Sequence, residues 1–271
     1  MTRSELIQHI AEKKSMLCVG LDTDLDRIPK HLLSEEDPIF SFNKAIVDAT
    51  ADHCVAYKPN TAFYEAYGLS GWQSLERTVA YIKENYPRHF VIADAKRGDI
   101  GNTSKRYTKA FLESMNCDAI TVAPYMGHDS VEPFSGIEGK WVIVLGLTSN
   151  PGADDVQKLK LENGEYVHHM VMDKVQSWLS EDELMFVVGA TRPDELRALR
   201  NRYPNVFFLV PGVGAQGGSA KDVVENGMIE DDFGLLINAS RGVIYASNGD
   251  DFAEAAKSSA KKLHDEIRSS M

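Results

Sequence analysis

Cysteine is scarce in this 271-residue chain. Only Cys18, Cys54 and Cys117 occur, far apart and in or beside apolar runs, with no CxxC pair. A disulfide framework and a zinc ribbon are not expected, and a reducing compartment fits. Cations are also in deficit, with 29 Lys and Arg against 40 Asp and Glu and a formal net charge of -11. Such a charge disfavours a nucleic-acid surface, so an anionic ligand would need a locally positive pocket. No apolar run approaches the ~20 residues of a membrane span. The opening MTRSELIQHIAEKK lacks the continuous apolar core of a signal peptide, and a cytoplasmic protein is expected. No GxSxG elbow, GxxxxGK loop or HxxxH pair is present. Asp22 with Asp24, and His168 beside His169, come nearest to a metal set, and no further ligand pattern supports them. His169 is expected in a structural role at the start of a helix near 168–180. No Pro/Ser-rich linker or charge block divides the chain, so residues 1–271 read as a single domain.

What is present is a repeated alternation. Eight short apolar segments recur at 16–22, 54–58, 90–96, 119–124, 141–149, 185–190, 206–212 and 234–240. Their Val, Ile, Leu and Phe content without strict polar alternation predicts strands buried on both faces. Helical spacing lies between them. Ile39, Phe42, Ile46 and Ala49 form one stripe, and Phe252, Ala256, Leu263 and Ile267 form another on the last helix. Thr191, Pro193 and Glu195 mark a helix start. This pattern predicts an α/β fold, a single (β/α)8 TIM barrel, over a doubly wound open sheet. The longest polar interruption, residues 150–167, is expected to be a lid or partly ordered loop over the site.

Charged and polar residues fall at the C-terminal strand ends, where barrels place their active sites. Asp22 ends the first strand, Lys58 the second, and Asp94 with Lys96 the third. Ser149 follows the fifth, Gln216 lies after the seventh, and Arg241 follows the eighth. Strand alternation points Asp94 and Lys96 to the same face, with Asp99 just beyond in a Gly-flanked turn. Burying three unpaired charges is costly, so they must pair or face a ligand. The GVGAQGG stretch, residues 212–218, matches GxGxxG, but it lies near the end of the chain rather than in a first βαβ unit. In the barrel frame it is expected to be a phosphate loop, with Arg241 able to clamp the same phosphate bidentately, the alternative being a tight turn with Arg241 in a surface pair.

The ADAKRGDIGNT segment resembles the DxKxxDIxxT signature of the orotidine 5'-phosphate decarboxylases. The likeness continues in LDTD, YKPN, TSNPGA, PGVGAQGG and ASRG, and the last two, with the length, resemble the longer bacterial branch of that family. The resemblance implies decarboxylation of orotidine 5'-monophosphate to uridine 5'-monophosphate in pyrimidine synthesis, without metal or organic cofactor. It implies a charged array of Lys58, Asp94 and Lys96, with Asp99 entering from the other subunit of a homodimer. Lys96 would protonate C6 of the pyrimidine. Asp22 and Asn60 would hold the ribose hydroxyls together with Asp99 and Thr103 of the partner chain. Ser149, with Thr148 adjacent, would meet the pyrimidine edge, while Gln216 and Arg241 would hold phosphate. Two alternatives stand beside this reading. One is a related magnesium-dependent barrel, a 3-keto-L-gulonate 6-phosphate decarboxylase or hexulose phosphate synthase, against which Lys58 argues because a cation there repels Mg²⁺. The other is a non-catalytic phosphate-ligand binder, which the intact charged set disfavours.

Overall fold

The structure, a computed structural model, describes residues 1–189, 192–213 and 219–271. Its strands are β1 (Leu17–Leu21), β2 (Ala56–Pro59), β3 (Phe90–Arg97), β4 (Ala119–Val122), β5 (Trp141–Leu147), β6 (Leu184–Val188), β7 (Phe207–Pro211) and β8 (Leu235–Ala239). They close in sequence order into a parallel barrel, with β8 pairing back onto β1. All eight coincide with the apolar segments of the sequence to within a few residues. Every residue of β1, β2, β4, β6 and β8 is buried, as strands sandwiched between a barrel interior and a helical coat must be.

The helices are α1 (Arg3–Lys13), α2 (Pro38–Thr50), α3 (Ala62–Glu65), α4 (Gly68–Asn85), α5 (Gly101–Thr108), α6 (Ala153–Val156), α7 (Val167–Trp178), α8 (Pro193–Arg202), α9 (Ala220–Gly227), α10 (Arg241–Ile244) and α11 (Phe252–Ser270). On α2 the expected stripe buries Ile39, Phe42 and Ile46, but Ala49 is only half-buried. Its place inside is taken by Asn43, whose amide bonds to Thr23, Tyr64 and Thr78 satisfy it. On α11, Phe252, Ala256 and Ile267 are buried while Leu263 is half-buried. Pro193 opens α8 as expected, where its missing N–H has no intrahelical partner to lose. Thr191 lies outside the described residues. The β4–β5 connection departs from regular alternation, using two short 3₁₀ turns, His128–Ser130 and Glu132–Phe134.

The N-terminal end of the barrel is plugged by aromatics. Phe90, Trp141 and Phe207 come from the alternate strands β3, β5 and β7 and meet edge to face, with centroids 5.8 and 5.4 Å apart. Layers drawn from alternate strands are how such barrels fill their interior. The C-terminal mouth is thereby left to the polar residues. Among the described residues no helix is long and apolar enough to cross a membrane.

Residues 150–167, expected as a lid or partly ordered loop, carry local structure of their own. They contain α6 and an antiparallel bridge between Lys160 and Tyr166. The Gln157 side chain ties them to the end of β5, accepting from Thr148 N at 2.8 Å and donating to its hydroxyl at 2.8 Å. His168 and His169 both lie in the first turn of α7. His168 is buried against the Gln157 carbonyl at 2.9 Å, and the His169 carbonyl accepts from Tyr203.

Candidate active site

The centre of the barrel mouth is an ion triplet. Lys58, at the end of β2, donates to Asp94 Oδ2 at 2.6 Å, and Lys96 donates to Asp94 Oδ1 at 2.6 Å. Lys58 and Asp94 are 5% and 7% exposed, whereas the Lys96 side chain is 49% exposed and so open to a ligand. Burial alone would push the Asp94 carboxyl up. The Lys58 and Lys96 ammoniums override it and hold the group far below the usual carboxylate range. Burial likewise works against the Lys58 charge, and Asp94 followed by Asp22 override it, holding the ammonium above the ordinary lysine value.

Lys96 reaches Asp94, but not through a regular pleat. Ala93 pairs with Ile120 while Arg97 pairs with Val122, so β3 carries two extra residues against β4. Within that bulge Lys96 stands at φ +48°, a left-handed backbone that side chains rarely adopt. Alternation therefore names the correct neighbours while missing the bulge that sets them. The same bulge conceals Thr121 from sequence reading. Its hydroxyl bonds both Asp94 Oδ1 at 3.0 Å and the Lys96 backbone N–H at 2.9 Å. In AITVAP it is one more strand-favouring residue, and no sequence signal distinguishes it.

Asp22, Lys58, Asn60, Asp94 and Arg241 line one cavity of about 180 Å³ with Asn238. Two acceptors buried there, Asp22 Oδ1 and Asn238 Oδ1, have no hydrogen-bond partner among the described residues. Orphaned buried acceptors are rare and await donors, such as the hydroxyls of a sugar. Asn60 accepts from Ala62 N at 3.2 Å, and its backbone pairs with Asp94. Arg241 opens α10, is exposed, and makes no ion pair among the described residues. The preceding Ser240 packs against Gly20, where an added Cβ would force the serine side chain to move.

Three residues named from sequence stand apart from this cavity. Asp99 accepts from the adjacent Ile100 N at 2.7 Å, and Thr103 is exposed on the first turn of α5. Ser149 follows β5, packed so closely on Gly189 that a Cβ at 189 would come within 2.9 Å of it. The neighbouring Thr148 hydroxyl is engaged with Asn150 at 2.6 Å and with Gln157. Gln216 lies outside the described residues.

This geometry has relatives. The family model described as orotidine 5'-phosphate decarboxylase / HUMPS matches residues 15–257. An orotidine 5'-phosphate decarboxylase of Bacteroides fragilis is 54% identical over 267 residues, covering 98% of this chain and 97% of that protein. The chain belongs to this family. The corresponding protein of Flavobacterium johnsoniae is 56% identical over 267 residues, again 98% of this chain and 97% of its own. Among solved structures, Leishmania donovani OMP decarboxylase matches with a TM-score of 0.82 at 33% identity, covering 100% of both chains. Leishmania donovani UMP synthase matches 98% of this chain with a TM-score of 0.84 at 36% identity, and the chain spans 55% of its length.

Proposed function

We propose that this chain, as a single barrel domain, converts orotidine 5'-monophosphate to uridine 5'-monophosphate and CO₂ without metal or organic cofactor. The observation that carries the reading is the Lys58–Asp94–Lys96 triplet at the barrel mouth, beside a cavity lined by Asp22, Asn60 and Arg241. Family membership supplies the substrate class, since the relatives above bear that activity in their names.

The chemistry follows from the charges. Breaking the C6–carboxylate bond releases CO₂ and leaves its electron pair on C6. An ammonium fixed toward that carbon stabilises the developing charge, and Lys96 then transfers its proton to C6. Solvent reprotonates the amine. Asp94, held ionised, sits where it opposes the substrate carboxylate. Two unit charges ~4 Å apart at an effective dielectric of ~20 interact by about 4 kcal/mol. Asp22 and Asn60 face the ribose hydroxyls, and Arg241 with Gln216 grips the phosphate. Ser149 meets the pyrimidine edge, with Thr148 adjacent to it.

Asp99 and Thr103 serve the partner's site in a homodimer. They lie off their own cavity, with exposed Ile100 between them in sequence and exposed Tyr125 and Met126 in the loop after β4. The β3 and β4 loops that carry those apolar side chains run together, with Ala123 N donating to the Arg97 carbonyl at 2.8 Å. The buried free thiols of Cys18, Cys54 and Cys117 support a reducing, cytoplasmic setting.

The test is ultraviolet loss of orotidine 5'-monophosphate with EDTA-treated protein. Full turnover is expected. Activity that vanishes with EDTA and returns with Mg²⁺ would place the chain with the metal-dependent relatives instead. No turnover under either condition would point to a non-catalytic binder.

A further inference from the structure

Thr121 is fully buried on β4 and borders no part of the cavity, yet it holds two of the groups that do the chemistry. A hydroxyl has one hydrogen to give and lone pairs to receive. An ionised carboxylate only accepts, so the Thr121 hydrogen goes to Asp94 Oδ1 at 3.0 Å. Its lone pair receives the Lys96 backbone N–H at 2.9 Å. Asp94 Oδ1 in turn takes Lys96 Nζ at 2.6 Å, which closes a ring through one residue's backbone and its own side chain. The ring spans the bulge where β3 slips by two residues against β4. Regular ladder bonding lapses there, and the hydroxyl supplies the partner that the Lys96 N–H needs. The bulge also contains the left-handed φ of +48° at Lys96, a conformation that persists only where its surroundings fix it.

We propose that Thr121 is a positioning residue for decarboxylation, its hydroxyl locking the Lys96 backbone and the Asp94 carboxylate into one frame that aims the ammonium. The inference rests on the functional reading above and adds to it the device that sets the direction of the proton donor. Thr121 touches no substrate. Its branched side chain has few rotamers, so the hydroxyl is itself fixed. A misplacement of ~1 Å in such a group costs about 100-fold in rate.

The test compares Thr121→Val, which keeps the shape and removes the hydroxyl, with Thr121→Ser, which keeps the hydroxyl. Thr121→Val should lower kcat roughly 10- to 100-fold with KM nearly unchanged, and Thr121→Ser should recover most of it. Exchange of the C6 hydrogen of uridine 5'-monophosphate in D₂O reads the Lys96 proton transfer alone, and it should slow in parallel. Folded Thr121→Val with wild-type kcat overturns the inference, as does a loss confined to KM or shared equally by Thr121→Ser. Should Thr121→Val fail to fold, Thr121→Cys offers a weaker donor of similar size. A kcat between those of Thr121→Ser and Lys96→Ala then supports the inference, and an undiminished one overturns it. Wild-type protein without turnover overturns the functional reading and this inference with it. Wild-type turnover with unimpaired Thr121 variants overturns this inference alone.

Discussion

Replacing Lys96 by alanine and, separately, by glycine divides what its side chain does from what its backbone costs. Both variants lose the ammonium. Only glycine is at ease at the φ of +48° that Lys96 adopts. A residue with a Cβ in the left-handed region costs about 1–2 kcal/mol. Against that, glycine gives the unfolded chain more freedom, worth about 0.4–1 kcal/mol in alanine's favour. Lys96→Gly should therefore be the more stable of the two by roughly 0.5–1 kcal/mol, or about 1–4 °C in Tm for a chain of this size. Neither variant should unfold the barrel. The Lys96 side chain is 49% exposed, and Asp94 keeps Lys58 at 2.6 Å and Thr121 at 3.0 Å. The lost half-exposed ion pair itself is worth ~1 kcal/mol or less. Both should be nearly inactive, because the cation that remains on Asp94, Lys58, is buried and held by the opposite carboxylate oxygen. Thermal melts followed by circular dichroism and initial rates at saturating orotidine 5'-monophosphate give the two readouts. An alanine variant as stable as the glycine variant refutes the backbone argument. Retention of a tenth of wild-type kcat by either refutes the proton-donor assignment.

Arg241→Ala should lower kcat/KM for the phosphorylated substrate by about 30- to 1000-fold while barely slowing orotidine that lacks the phosphate; equal losses on both would remove Arg241 from the phosphate site. The buried His9 and His89 rings, 5.3 Å apart, are both pushed down to about 4 from 6.5, first by burial. Between those pH values the unfolded chain binds more protons, so stability held above pH 6.5 should fall by a few kcal/mol as pH drops toward 4. Neither His9 nitrogen has a partner among the described residues, so His9→Phe should be tolerated at pH 7 and flatten that loss in urea titrations at pH 7 and 5; an unchanged difference between the two pH values would refute the assignment. Mixed Lys96→Ala and Asp99→Ala chains should regain roughly a quarter of wild-type activity after subunit exchange, since about half the dimers are hybrids with one whole site; hybrids seen by mass without that gain would refute the shared site.

The barrel was legible because each strand is a short run of apolar, largely branched or aromatic residues, a pattern that demands burial on two faces. The charged array was legible in part: Asp94 and Lys96 at the end of β3 had to pair or face a ligand, and they pair together with Lys58 from β2, while Asp99 stands apart. What stayed hidden depends on registers that sequence does not display. The two-residue slip of β3 against β4 places Lys96 in a left-handed conformation and brings Thr121 beneath it. Asn43 sits inside the stripe of α2 because Thr23, Tyr64 and Thr78, all distant in sequence, converge on it. The polar composition of 150–167 conceals local structure, because it is built from contacts with residues outside the segment, Gln157 to Thr148, Lys158 to Glu195 and Glu165 to Arg202.

An acidic chain that binds an anionic substrate must concentrate positive charge locally, and the mouth does so unevenly. Within one chain, Lys58, Lys96 and Arg241 face two acids, Asp22 and Asp94, so this chain's share of the site carries one positive charge in a protein of net charge -11. Arg241 has no ion pair among the described residues and is free to meet a phosphate. The two lysines are instead spent on Asp94. That arrangement is poor for ground-state affinity and good for turnover. In the proposed reaction Asp94 opposes the carboxylate that must leave, while the ammoniums it fixes are already oriented when negative charge appears on C6. Binding energy gathered at the phosphate end can then be expressed at the reacting carbon.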